Sequence, residues 1–217
     1  MNRHDKILVF DFETTGLHPQ FDQIIEIGAI VLSKKDNGFE EVDHLNILVQ
    51  VGHPLPLKIT QITGITDAML RTDGVSPESA FQQLFNLYDA HTLLVAYNLQ
   101  FDLSFLHAFI RRYWQPQFEI KNDILDVMAV YRDRHPYPHR LESAVQTYQV
   151  DVKNTHRGID DVRATYAVLK AMQAEQDNID AYVNVIGYNP KYAVSGLRLP
   201  HVRYVPQRGG MREIEKS

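Results

Sequence analysis

The sequence predicts an α/β or α+β domain with a mixed central sheet, on three observations. Three strand-like runs come first and are joined by short turns. Strand-like and helix-like segments then alternate. At 217 residues and 44% hydrophobic, the chain can bury one sizeable core.

Taken in chain order, Lys6–Phe12 reads as a buried strand, Ile24–Ser33 as a second and Phe39–Val51 as a third. Asp36-Asn37-Gly38 supplies a hairpin turn between the last two, so the three strands make an antiparallel meander. Pro54–Met69 is short helical or turn structure around Gly64. Ser76 and Pro77 place an N-cap and a first-turn proline ahead of a helix that runs to about Ala90. Thr92–Ala96 is a strand and Phe101–Trp114 a helix. Asp123 is placed to cap a helix over Ile124–Arg134, and Pro136 and Pro138 break the chain just beyond it. Leu141–Gln149 and Asp160–Glu175 complete the helices of the body. Ile179, Tyr182, Val183 and Ile186 then fall on one helical face, with Gly187 as the stop.

Charge divides the chain in two. Its net charge is −5, but residues 178–217 carry six Lys/Arg against three Asp/Glu. The expectation is a domain over 1–174 and a basic tail over 175–217 with a short helix, the tail meeting phosphates or a partner. With no cysteine, disulfides, thiol nucleophiles and Cys-based metal sites are excluded. No stretch is apolar enough to span a bilayer, and MNRHDKILVFDF lacks a signal peptide's apolar region. A cytoplasmic protein with no membrane partner is the expectation.

Four acids sit where acids are costly. Asp11 and Glu13 lie two apart in the first strand, so their side chains share a face. Asp102 heads the apolar stripe Phe105, Leu106, Phe109, Tyr113. Asp161 heads the stripe Ala164, Thr165, Val168, Leu169, Met172. Its neighbour Asp160 points about 100° away. A helix N-terminus favours an anion by only about 0.3–1 kcal/mol, whereas removing a carboxylate from water costs several kcal/mol. Hard divalent cations resolve the conflict: Mg²⁺ or Mn²⁺ prefers oxygen ligands, and four carboxylates neutralise two such ions. Two such ions serve in-line displacement at a phosphodiester. His156, five residues before Asp161, has the unperturbed pKa of a general base near neutrality.

DFETTG (11–16), YNLQFD (97–102) and HRGIDD (156–161) resemble, in order and spacing, the three motifs of the DnaQ-like DEDDh 3′–5′ exonucleases. That family includes the proofreading subunit or domain of bacterial replicative polymerases, and oligoribonuclease. DQIIEIGAIVL and ITGITDAML extend the resemblance over about residues 6–172. It implies an RNase H-like fold, Asp11, Glu13, Asp102 and Asp161 as ligands of two Mg²⁺ or Mn²⁺ ions, and His156 as general base. It also implies that Thr14, Thr15, Gly16 and Leu17 meet the 3′-terminal nucleotide, with Ile62, Gly64, Ile65 and Asn98 lining the same groove. Leu17 and Ile65 equally suit the core. Gly158 departs from the alanine frequent there, which suggests a looser turn after His156. The expected activity releases nucleoside 5′-monophosphates from the 3′ end of single-stranded or frayed DNA. The alternatives are an RNA exonuclease of the oligoribonuclease kind and a replication-complex subunit whose tail docks a polymerase or clamp. For the latter, SGLRLP (195–200) resembles clamp-binding peptides but lacks their glutamine.

Overall fold

Chain direction decides how the sheet is joined. The structure is a computed structural model and describes residues 3–36, 38–152 and 157–216. Among these, β1 (Lys6–Thr14), β2 (Ile24–Lys35) and β3 (Gly38–Leu48) form the antiparallel meander. The centre of the β2–β3 turn, Asn37, lies outside the described residues. β4 (Leu93–Ala96) and β5 (Ile124–Asp126) add on the other side of β1 as parallel strands, giving the order β3-β2-β1-β4-β5. Parallel neighbours need long crossovers. α1 (Leu57–Thr63), α2 (Asp67–Thr72) and α3 (Pro77–Leu87) lead to β4, and α4 (Leu99–Tyr113) leads to β5. After β5 come α5 (Val127–Arg134), α6 (Leu141–Tyr148) and α7 (Gly158–Glu175). This is the expected mixed sheet flanked by helices. No helix of the described residues is long and apolar enough to cross a membrane.

Local chemistry explains the boundaries. The Ser76 hydroxyl accepts the Ser79 N–H at 3.2 Å with Pro77 in the first turn of α3. Gly64 ends α1 at φ 71°, a left-handed cap that suits glycine.

The period-two alternation of β1 sorts the two cores. Leu8, Phe10 and Phe12 pack with α3 and α4 on one face. Ile7 and Val9 pack with α5, α6 and α7 on the other. Asp11 and Glu13 continue this second row, so parity alone carries them under α7.

Two expected elements differ. Asp123 does not start a helix. Ile124 and Leu125 extend the sheet beside Leu94 and Val95, and Asp126 caps α5 by accepting the Met128 N–H. An apolar pair beside an open sheet edge gains more by pairing than by one extra helical turn. The segment after residue 175 also differs from a basic tail. Its short helix is a 3-10 turn, Ile179–Tyr182. Asn184 then takes a left-handed φ of 58°, and β6 (Val185–Tyr188) pairs in parallel with β7 (Arg203–Pro206), with Gly187 inside the strand. Ile179, Tyr182, Val185 and Val205 enter the α5–α7 core, while Ile186, Leu199 and Val202 enter the other. SGLRLP lies against α4: Leu197 N–H donates to the Ser104 hydroxyl and Leu199 is buried.

Candidate active site

The site forms where β1 ends and two helices begin. Among the described residues, Asp11, Glu13 and Asp161 each bring one carboxylate oxygen within 4.8 Å of the others. Asp161 is 8% exposed, in the first turn of α7 and on the buried stripe Ala164, Thr165, Val168, Leu169 and Met172. Asp102, 2% exposed, arrives from the opposite face of the sheet on α4 and accepts the Phe12 N–H at 3.1 Å. It lies close enough to Asp11 that their charges interact. Thus the structure gathers three of the four expected ligands into one group and sets the fourth beside it. His156 lies outside the described residues.

Burial and mutual repulsion make these carboxylates hold their protons more tightly. Burial, with the charges of Asp161 and Glu26, pushes Asp11 from 3.8 to about 7. Burial, then Asp11, Glu26 and Asp161, pushes Glu13 from 4.5 to about 8, against a lowering pull from Arg157. Burial and the Asp11 charge also push Asp102 well up. Crowded buried carboxylates with raised pKa values are the donor set that a hard divalent cation neutralises.

These shifts fix the sign of what the site carboxylates contribute to the pH dependence of stability. Groups with raised folded-state pKa values hold their protons more tightly in the cation-free folded chain than in the unfolded one. Between about pH 4 and 8, the contribution of these carboxylates to stability therefore falls as pH rises. A divalent cation displaces those protons. Mn²⁺ is expected to raise Tm more at pH 8 than at pH 6, by scanning calorimetry; equal increments would separate the cation from these carboxylates.

The expected substrate-side residues are distributed unevenly. Leu17 is 76% exposed on the loop after β1, and Ile62 and Asn98 are exposed too. Thr14 and Thr15 are buried: the Thr14 hydroxyl donates to Gly16 O, and Thr15 N–H donates to Gln23 O at 2.9 Å. Gly16 abuts the Asp22 carboxylate, which ties the loop through the Thr15 hydroxyl and His18 N–H. Gly64 caps α1. Ile65 is fully buried among Ile25, Leu48, Leu55 and Leu70, so it supports the wall rather than lining it.

Two acids outside the expected set hold the starts of the helices that carry Asp102 and Asp161. Asp126, buried and pushed by burial to about 6, accepts Asn98 N–H at 3.2 Å and Leu99 N–H at 3.3 Å, fixing the start of α4. Glu26, 1% exposed, takes Arg157 and the Gly158 N–H, fixing the start of α7. An acid inside the apolar run IIEIGAIVL is the same oddity as Asp11 in ILVFDF, and would have pointed to Glu26.

Beneath α7 the backbones of Gly28 and Gly158 touch. Gly158 is therefore not a loosened turn. It is buried, with Gly28 N 3.0 Å from where its own Cβ would sit. A Cβ on Gly28 would meet Gly158 C at 2.2 Å and Ile159 N at 2.6 Å, both backbone atoms. Gly28→Ala is expected to push the first turn of α7 away, destabilise by about 1–3 kcal/mol and lower activity roughly tenfold or more through Asp161. Unfolding curves and steady-state rates of the variant check this; wild-type values would mean that the contact yields without moving α7.

The comparisons with known proteins bear on family and fold. The model of the RNase T exonuclease family matches residues 8–169. The chain is 31% identical over 185 residues to the PolC-type DNA polymerase III of Listeria monocytogenes, covering 83% of this chain and 12% of that protein. It is 32% identical over 169 residues to the PolC-type DNA polymerase III of Bacillus subtilis, covering 76% of this chain and 11% of that protein. The chain thus spans about an eighth or less of the length of these polymerases. The zinc-bound Escherichia coli exonuclease I–single-stranded DNA complex superposes with a TM-score of 0.71 at 21% identity, covering 83% of this chain and 43% of that one. The fold is therefore the RNase H-like exonuclease fold.

Proposed function

Because the chain belongs to the exonuclease family, whose model spans three quarters of it, we propose that it is a metal-dependent 3′–5′ exonuclease acting on single-stranded or frayed DNA. The observation that carries this reading is the convergence of Asp11, Glu13 and Asp161 within 4.8 Å, with Asp102 beside them. These four carboxylates would hold one or two Mg²⁺ or Mn²⁺ ions. Bound divalent cations supply Lewis acidity at the phosphate and lower the pKa of an attacking water. His156 accepts that water's proton. Gly16 and Leu17 meet the terminal nucleotide, with the exposed side chains of Leu17 and Ile62 flanking it. Thr15 N–H is already engaged by Gln23 O and shapes the loop instead. DNA is favoured over RNA by the relatives named above: two are PolC-type DNA polymerases III, and the superposed exonuclease I holds single-stranded DNA. This supports a setting in proofreading or repair.

The test uses 5′-labelled DNA and RNA oligonucleotides of matched sequence, with Mg²⁺, with Mn²⁺ and with chelator. The expected result is a descending DNA ladder, mononucleotide product and no reaction with chelator. Release from the 5′ end, or none with either metal, overturns the reading. A preference for RNA selects the oligoribonuclease alternative.

A further inference from the structure

We infer that Glu26 is a positioning residue for this site, acting through Arg157 and the first turn of α7; the inference rests on the proposed metal-dependent reading. A helix begins with N–H groups that lack intrahelical partners. At the start of α7 the N-cap position is Arg157, whose side chain makes no capping bond. The cap comes instead from β2: Glu26 Oε2 accepts the Gly158 N–H at 3.2 Å, while Oε1 accepts Arg157 Nε at 3.0 Å and lies 3.0 Å from Arg157 Nη2. One buried carboxylate thus grips both the backbone and the side chain at the entry to the helix that delivers Asp161.

Register explains why Glu26 can do this. It pairs across the ladder with Glu13, and Gly28 pairs with Asp11. Glu26 and Gly28 therefore share a face of β2 with the ligands' face of β1. Gly28 lets the α7 backbone descend onto the sheet, and Glu26 holds it there. A third carboxylate beside Asp11 and Glu13 would repel a proton-free site without its own cation. Arg157 neutralises it, and the same guanidinium draws on Glu13. Glu26 is committed to Arg157 and Gly158, which makes it a holder rather than a ligand.

The experiment uses the full chain. Glu26→Gln keeps the volume and an acceptor for Gly158 N–H but loses the charge facing Arg157. Arg157→Ala, the double variant and Arg163→Ala accompany it. Arg163 also ties α7 to the sheet, through Glu41 at 2.8 Å, but on the exposed side. Three quantities are read: Tm, Mn²⁺ affinity by calorimetric titration, and kcat with KM on a labelled DNA oligonucleotide. Loss of a residue that orients a metal ligand costs about 10–100-fold in affinity or activity. The expected result for Glu26→Gln is Mn²⁺ affinity and kcat each lower by about tenfold or more, with KM within about threefold. The double variant should be no worse than Glu26→Gln, and Arg163→Ala should match wild type. A folded Glu26→Gln with wild-type Mn²⁺ affinity overturns the inference, as do losses that multiply in the double variant. Should Glu26→Gln fail to fold, Arg157→Ala, whose side chain is 40% exposed, carries the same comparison. A wild-type chain that binds Mn²⁺ but releases no nucleotide refutes the nuclease reading, and the titration then decides the role of Glu26.

Discussion

Asp161→Asn is expected to lower nuclease activity about a thousandfold, close to 4 kcal/mol of transition-state stabilisation, while Asp160→Asn keeps most of it. The two acids are adjacent, and composition cannot separate them. Helical geometry does. Asp161 lies on the buried stripe of α7 and shares a space 4.8 Å across with Asp11 and Glu13. Asp160, about 100° around the axis, is partly exposed and outside that group. Arg163, one turn on, pairs with Glu41 of β3 at 2.8 Å, so an Asp160–Arg163 pair is not the main contact of that arginine. Losing Asp160 should therefore change stability by at most about 1 kcal/mol. Purified single variants, assayed at saturating Mn²⁺ and with matched circular dichroism spectra, decide the matter. Equal losses would place both acids in the site. A larger loss for Asp160→Asn would mean that α7 starts in another register in solution.

The four acids were legible because each broke a pattern. A strand that reads ILVF and then offers Asp11 and Glu13, or an apolar helix stripe headed by Asp102 or Asp161, contradicts its own burial. The sheet was legible for a related reason: Ile24–Lys35 opens with nine buried residues, apolar but for Glu26, and then turns polar, which bounds it from within. Glu26 broke its pattern as plainly as Asp11 did. Its purpose was hidden because its partners, Arg157 and Gly158, are more than a hundred residues away in sequence. The choice of Asp123 over Asp126 as the α5 cap failed for the same reason. Both are acids ahead of an apolar run, and only the pairing of Ile124 with Leu94 shows where the strand ends. Ile65 was ambiguous between groove and core, and the neighbouring Ile25 and Leu70 resolve it toward the core. The segment after residue 175 misled most, because net charge describes what a segment shows to solvent and not what it buries.

Truncation after Glu175 is accordingly expected to leave a chain that does not fold cooperatively, rather than a nuclease relieved of a tail. Nine apolar side chains between Ile179 and Ile214 are buried, Tyr182 completely. Fully burying one such side chain contributes about 1.5–3 kcal/mol, although the ordering cost of the segment disappears with it. The decisive loss falls on what remains. Both cores lose part of their cover, because the segment contributes to each. Asp133 of α5, with no exposed surface, loses its partners at once: Tyr182 Oη at 3.0 Å, Gln207 Nε2 at 3.1 Å, Ile214 N at 3.0 Å and Glu215 N at 3.2 Å. Stripping donors from a buried acceptor costs about 1–3 kcal/mol for a neutral group and more for a charged one. Arg134 next to it loses Asn178 Oδ1 at 2.6 Å. Against a whole-domain stability of about 5–15 kcal/mol, these losses leave little. Asp133→Ala separates the bolt from the cover: it breaks the same four hydrogen bonds but keeps the apolar residues, and should fold with a Tm lower by roughly 10 °C or more. A chain ending at Glu175 that unfolds cooperatively within a few degrees of the full protein would show that residues 1–175 are a self-sufficient domain. It would return the C-terminal segment to the role of a removable basic arm.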